Sequence, residues 1–192
     1  GCSFLAEMAV IWIGGAALPA DLADQSRQAG LRLAPCYGAT ETAAMVTALS
    51  PADFLAGVCG CGRPLEGVRL RLNQQGALAV QCDRLAAVRL DDSAALRAIP
   101  DRDGWWHSGD LAELEGSPTH PLLHVRGRLD GAILSGGVTV FPSQLEERLL
   151  MDAGRAGLQL DAVLLLGLAD REWGERLVAL VRWSSVEVPS AA

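Results

Sequence analysis

The stretch MAVIWIGGAALPADLADQSRQAGLRLAPCYGATE (residues 8–41) decides how the chain begins to fold. MAVIWI is an apolar run of buried-strand length that stops at Gly14 and Gly15. Pro19 then opens a segment with helical spacing through Leu22, Ser26 and Ala29, and Gly30 ends it. LRLAPC (31–36) reads as a second strand. The order strand, helix, strand predicts a parallel α/β unit. In such units ligands collect at the carboxyl ends of the strands, where GGAALP (14–19) and YGATE (37–41) both fall. The two loops are expected to be spatial neighbours.

Working outward, the texture changes after Gly57. VRLRL (68–72), ALAVQC (77–82), DLAELEG (110–116) and LLHVRG (122–127) are short and separated by Gly, Pro, Asp and Asn, which predicts a small antiparallel β region. After Gly127 the pattern resets to ILSGG, a helix opened by Pro142 through SQLEERLLMDAG, and the strands DAVLLLGLA (161–169) and RLVALVRW (176–183), a small α+β module. The expected organisation is a first domain over 1–127, a hinge at 128–131 and a second domain over 132–192. The closing SSVEVPSAA reads as a frayed tail.

Composition narrows the function classes. Half of the 192 residues are hydrophobic and 20% are charged, which suits a packed core rather than disorder. No apolar run approaches the roughly 20 residues that cross a bilayer, and the first residues carry no secretory signal, so no membrane span and a cytoplasmic location are expected. A net charge of −7 with scattered arginines argues against a nucleic-acid partner. The five cysteines form no CxxC pair for zinc or thiol exchange. All sixteen basic residues are Arg, so any step that needs a lysine must borrow it. Oligomeric state is left open.

Four segments carry candidate chemistry. Gly14 and Gly15 either end a strand or let a flat aromatic group lie against backbone. In YGATETAAM (37–45), Tyr37 is the chain's only tyrosine, and Thr40 and Glu41 put a hydroxyl beside a carboxylate. The structural alternative is a helix start capped by Thr; the chemical one gives Thr40 a phosphate oxygen and Glu41 a Mg²⁺, which favours one or two carboxylate oxygens with phosphate and water. Tyr37 would then stack on adenine, with flexible Gly38 beside it. In WWHSGDLAEL (105–114), Ser-Gly-Asp is turn chemistry or else presents Asp110 to two ribose hydroxyls. His107, His120 and His124 are given no role. GRLDGAILSGGVTVFPSQLEERL (127–149) sets Arg128, Asp130, a Gly pair and a Pro-led helix across the expected boundary. Arg128 offers a rigid fork of donors for ribose or phosphate, and Asp130-Gly131 sits where a hinge could rotate.

Taken in order, GGAALP, YGATE, WWHSGDL, GRLDG with SGGVTVFPSQLE, and GLADREWGE resemble successive motifs of the adenylate-forming ligase superfamily over nearly the whole chain. The resemblance implies the carboxyl-side part of that family's large AMP-binding domain followed by an incomplete small lid domain. It also implies a two-step reaction in which a carboxylic acid and ATP give an acyl-adenylate and pyrophosphate, and a thiol such as coenzyme A then displaces AMP. By position it implies Gly14, Gly15, Tyr37, Gly38, Asp110 and Arg128 at the nucleotide, Thr40 at phosphate, Glu41 at Mg²⁺, and Asp130 as a catalytic pivot. Gly136, Gly137 and Trp173 match the coenzyme A tunnel.

IGGAALPADLADQSRQAGLRL and GRLDGAILSGG look most similar to o-succinylbenzoate-CoA ligases of menaquinone and phylloquinone synthesis. Departures are the missing upstream phosphate loop, the missing lysine, Ala77 where many relatives have Glu, and Leu134 where many have Lys. These imply a piece of a longer chain, inactive alone. Two other readings stand beside it: a noncatalytic nucleotide- or partner-binding module, and an adenylation domain that loads a carrier protein.

Overall fold

A computed structural model describes residues 2–90 and 94–184; the frayed tail expected over 184–192 lies outside them beyond Ser184. The chain divides into two compact units, Gly1–Val125 and Arg126–Ala192. In the first unit, α1 (Cys2–Ala6) leads into β1 (Ile11–Ile13), α2 (Ala20–Gln28) and β2 (Leu33–Gly38). β1 pairs with β2 in parallel, Ile11 opposite Leu33 and Ile13 opposite Pro35, as the strand, helix, strand order predicts. β3 (Met45–Ala48) and β4 (Arg63–Pro64), which the sequence reading did not separate, continue this sheet antiparallel in the order β1-β2-β3-β4. The short α3 (Pro51–Leu55) starts with Pro51 after Ser50, whose hydroxyl accepts the Asp53 N–H at 3.0 Å.

Of the helical spacing through Leu22, Ser26 and Ala29, helix α2 buries Ser26, together with Ala23, while Leu22 and Ala29 are exposed. On the same side, Arg27 Nε donates to the Phe54 carbonyl at 2.9 Å and its guanidinium lies 4.6 Å from the Phe54 ring. Phe54 anchors a core cluster with Ala23, Leu31, Leu33, Leu49 and Leu122.

The antiparallel region is a second sheet, ordered β10-β9-β6-β5, of β5 (Arg69–Leu72), β6 (Ala77–Gln81), β9 (Trp106–Glu115) and β10 (Leu122–Arg128). β6 is buried over Ala77–Val80 because it is central in this sheet. Its Leu78 and Val80 join Val46, Trp106 and Leu123 in the larger core cluster, so the two sheets of this unit share apolar packing. Between β6 and β9, β7 (Val88–Leu90) and β8 (Leu96–Ala98) form a separate exposed hairpin.

The second unit holds a 3₁₀ turn at Leu129–Gly131, β11 (Ile133–Ser135), β12 (Val138–Val140), α4 (Pro142–Arg155), β13 (Leu160–Asp170) and β14 (Gly174–Trp183). Its sheet runs β12-β11-β14-β13. β13 and β14 form a long hairpin with Leu164 opposite Leu180 and Leu166 opposite Val178. Leu165 is buried while Leu164, Leu166 and Leu168 are exposed, the alternation of a strand with one covered face. No described helix is long and apolar enough to cross a membrane.

Candidate functional site

The strand-ending glycines and the YGATE loop meet as the parallel unit requires. Gly14, Gly15, Cys36, Gly38, Ala39, Thr40 and Ala43–Met45 line an open cleft of about 740 Å³. Of these, the Cys36 thiol donates to the Ile13 carbonyl at 3.3 Å, burial pushes its pKa up, and a Cβ on Gly14 would lie 2.9 Å from its sulfur. Gly38 is needed for a different reason than flexibility. A Cβ there would fall 2.3 Å from the Ala44 carbonyl oxygen, because the loop folds back over it.

That fold-back is held by Thr42, and the turn expected as a helix start capped by Thr has Ala39 at its N-cap position. The fully buried Thr42 hydroxyl accepts the Ala39 N–H at 2.9 Å and donates to the Ala44 carbonyl at 2.7 Å. Residues 40–42 make one 3₁₀ turn, and Ala43 closes it at φ 61°. With Thr42 serving the turn, Thr40 is exposed on the cleft wall.

Asp110 reaches its place through a bulge inside β9. Ala77 opposes Leu111 and Ala79 opposes His107, so Ser108, Gly109 and Asp110 together face Leu78. Gly109 adopts φ 77°, and the buried Ser108 hydroxyl donates to the Leu78 carbonyl at 3.0 Å while accepting the Asp110 N–H at 3.1 Å. A Gly between two turn-forming residues inside a strand pattern was the signal for this bulge. The Tyr37 hydroxyl donates to the Asp110 carboxylate at 2.5 Å, and the Tyr37 ring packs against the larger core cluster. The structure thus joins Tyr37 to Asp110, although neither is among the residues that line the cleft.

Glu41 parts from its neighbour Thr40. It lines a second cavity of about 320 Å³ with Arg89, Ala98–Asp101, Trp106 and His107. The Glu41 carbonyl accepts the Ala86 N–H at 2.8 Å, which ties the turn to the segment before β7. No group of three or more His, Cys, Asp or Glu side chains among the described residues could cage a metal ion. One carboxylate beside a cavity still fits magnesium, which keeps water and phosphate for most of its coordination.

In the second unit, Arg128 grips Asp130 with both arms of its fork, Nε to Oδ1 at 2.8 Å and Nη2 to Oδ2 at 2.7 Å. These hydrogen bonds from Arg128 hold the Asp130 carboxyl below its ordinary pKa. Gly136 and Gly137 turn β11 into β12, at φ 57° and 81°. The Gly136 N–H donates to the Trp173 carbonyl at 2.9 Å, and a Cβ on Gly136 would strike the Trp173 ring at 2.7 Å. Trp173 itself is 50% exposed.

No protein-family model matches the chain. It is 35% identical over 181 residues to a Mycobacterium tuberculosis protein named probable 2-succinylbenzoate–CoA ligase, covering 92% of this chain and 41% of that protein. It is 31% identical over 181 residues to feruloyl-CoA synthase of an Amycolatopsis species, covering 89% of this chain and 35% of that protein. Among solved structures, the o-succinylbenzoate CoA synthetase of Bacillus subtilis in complex with its acyl-adenylate intermediate superposes with a TM-score of 0.79. The identity there is 23%, over 94% of this chain and 37% of that one. The same synthetase with ATP and magnesium ion gives 0.76. The chain therefore spans well under half the length of the relatives it matches.

Proposed function

From this likeness to the carboxyl-side part of adenylate-forming CoA ligases, and most of all to the 2-succinylbenzoate–CoA ligases, we propose that the chain works as the carboxyl-side part of a cytoplasmic acid–thiol ligase that forms AMP. Its substrates are an aryl acid, ATP and coenzyme A, and the preferred acid is o-succinylbenzoate. The observation that carries the reading is the cleft in which Gly14, Gly15, Gly38 and Thr40 meet, with the Tyr37–Asp110 pair held beside Gly38.

The residues divide the work as follows. Gly14 and Gly15 leave backbone bare for a flat ring, and Thr40 offers a hydroxyl to an AMP phosphate oxygen. Asp110, presented by the β9 bulge and oriented by Tyr37, accepts from ribose hydroxyls. Glu41 would hold a magnesium ion together with phosphate oxygens, which would supply positive charge against the leaving pyrophosphate. Substrate carboxylate displaces pyrophosphate from the α-phosphorus of ATP, and the thiol then displaces AMP from the acyl carbonyl.

In the second unit, Arg128 serves the ribose once its fork leaves Asp130, residues 128–131 are the hinge with Asp130 as pivot, and Gly136, Gly137 and Trp173 flank the pantetheine arm. A lid that turns between the two half-reactions would supply different groups to one carbonyl in turn.

The test is ATP–pyrophosphate exchange by the protein that carries this chain, with magnesium and each of several acids. Exchange that requires o-succinylbenzoate supports the reading. Exchange with ferulate alone moves the substrate to another aryl acid, and no exchange with any acid rejects an adenylating enzyme.

A further inference from the structure

Trp173 is half exposed, yet its backbone is held on both sides. The turn from β13 to β14 is closed by Asp170, whose Oδ1 accepts the N–H groups of Glu172 at 2.9 Å and Trp173 at 3.1 Å. Asp170 Oδ2 lies 2.6 Å from Arg176 Nη2. The Trp173 N–H first, then the Glu172 N–H and the Arg176 charge, hold the Asp170 carboxyl below its ordinary pKa. The Trp173 carbonyl is taken by the Gly136 N–H at 2.9 Å. One backbone group of Trp173 is therefore committed to its own turn, and the other to the turn that joins β11 to β12.

A second carboxylate ties the same two turns together. β11 meets β14 at Ser135 opposite Gly174. One residue along, the Leu134 N–H donates to Glu175 Oε2 at 2.7 Å. Gly167 makes room for this: a Cβ there would lie 2.7 Å from Glu175 Oε1 and 2.9 Å from Ile133 Cγ2. Glutamate is an uncommon choice in a strand, where a β-branched or aromatic side chain packs better. What Glu175 adds is a charged hydrogen bond from β14 to the strand that leads into Gly136 and Gly137.

The two turns touch where a Cβ on Gly136 would lie 2.7 Å from the Trp173 ring. An indole that stays half exposed gains little burial from being fixed so firmly. A group that must present one face to a ligand gains a great deal, because its position is then set before the ligand arrives.

We propose that Asp170 and Glu175 are positioning residues for the thiol half-reaction: they hold the Trp173 indole against Gly136, so that the pantetheine arm of coenzyme A meets a preformed wall. The inference rests on the proposed place of Gly136, Gly137 and Trp173 beside that arm, and it adds two carboxylates that the reading does not use.

The experiment compares wild type, Asp170→Ala, Glu175→Ala, Glu175→Gln and Gly167→Ala in the protein that carries this chain. ATP–pyrophosphate exchange reads the first half-reaction, and the KM for coenzyme A in thioester formation reads the second. The near-UV circular dichroism of Trp173, taken as the difference that Trp173→Phe makes in each protein, reads its packing without turnover.

Asp170→Ala and Glu175→Ala should raise the KM for coenzyme A about tenfold, as loss of a charged hydrogen bond requires, and lose most of the Trp173 signal. Exchange, which needs no thiol, should keep its rate. Gly167→Ala should act like Glu175→Ala, because the new methyl displaces the end of a flexible side chain. Glu175→Gln keeps an acceptor oxygen and should stay near wild type. An unchanged KM in both Glu175→Ala and Gly167→Ala overturns the proposal, as does exchange that falls in step with thioester formation. A wild type that shows no exchange with any acid overturns the ligase reading and takes this inference with it.

Discussion

Gly14 and Cys36 show how closely single residues are set in the cleft. A Cβ on Gly14 would lie 2.9 Å from the Cys36 sulfur, inside any ordinary contact. Gly14→Ala is expected to cost about 1–3 kcal/mol, the usual penalty of overpacking, read from urea unfolding. Because the sulfur is the obstacle, Cys36→Ala should restore most of that loss in the double variant. An additive double variant would mean that the strain lies in the backbone instead. Gly38 differs, since its obstacle is the Ala44 carbonyl oxygen at 2.3 Å, and no side-chain change can relieve Gly38→Ala.

At the scale of elements, the β9 bulge presents Asp110, on which the proposed ribose contact depends. Gly109→Ala must hold φ 77°, a left-handed conformation that costs an L-residue about 1–2 kcal/mol. It should also shift Asp110 and weaken AMP binding; unchanged binding would separate the bulge from the site. The loop that Asp101 closes makes a pH prediction. The Trp105 N–H bond, then His107, lower the Asp101 pKa, so its stabilisation is present above the ordinary value of 3.8 and is lost as pH falls through the lower folded value. Trp105 fluorescence should therefore report loop opening only below pH 3.8, and Asp101→Asn should remove that acid transition.

The same elements show what could be read in advance. Helical spacing between two apolar runs gave the parallel unit, because period alone separates helix from strand there. β3 and β4 were missed since their burial comes from partners far along the chain: Thr47, for instance, is buried with its hydroxyl donating to the Cys61 carbonyl at 2.7 Å. The bulge was legible as Ser-Gly-Asp, but which way it turns Asp110 depends on Leu78 across the sheet. Thr40 and Glu41 facing different cavities was not legible at all, because it follows from Thr42 closing a single tight turn.

Across the whole molecule, the two compact units each carry part of the proposed machinery. In the second, Gly136 sits at φ 57° with its Cα facing the Trp173 ring. Gly136→Ala combines left-handed strain with a clash, so it should lower the stability of that unit and change Trp173 emission; an unchanged transition would contradict the packing described. The proposed binding of adenosine monophosphate to the first unit rests on the cleft at Gly14, Gly15, Gly38 and Thr40 together with Asp110, which Tyr37 holds outside the cleft lining. Isothermal titration of AMP into wild type and Asp110→Ala tests it most directly. Measurable binding that weakens about tenfold or more in the variant is expected, as loss of charged hydrogen bonds requires. Equal affinity in the two proteins would contradict it.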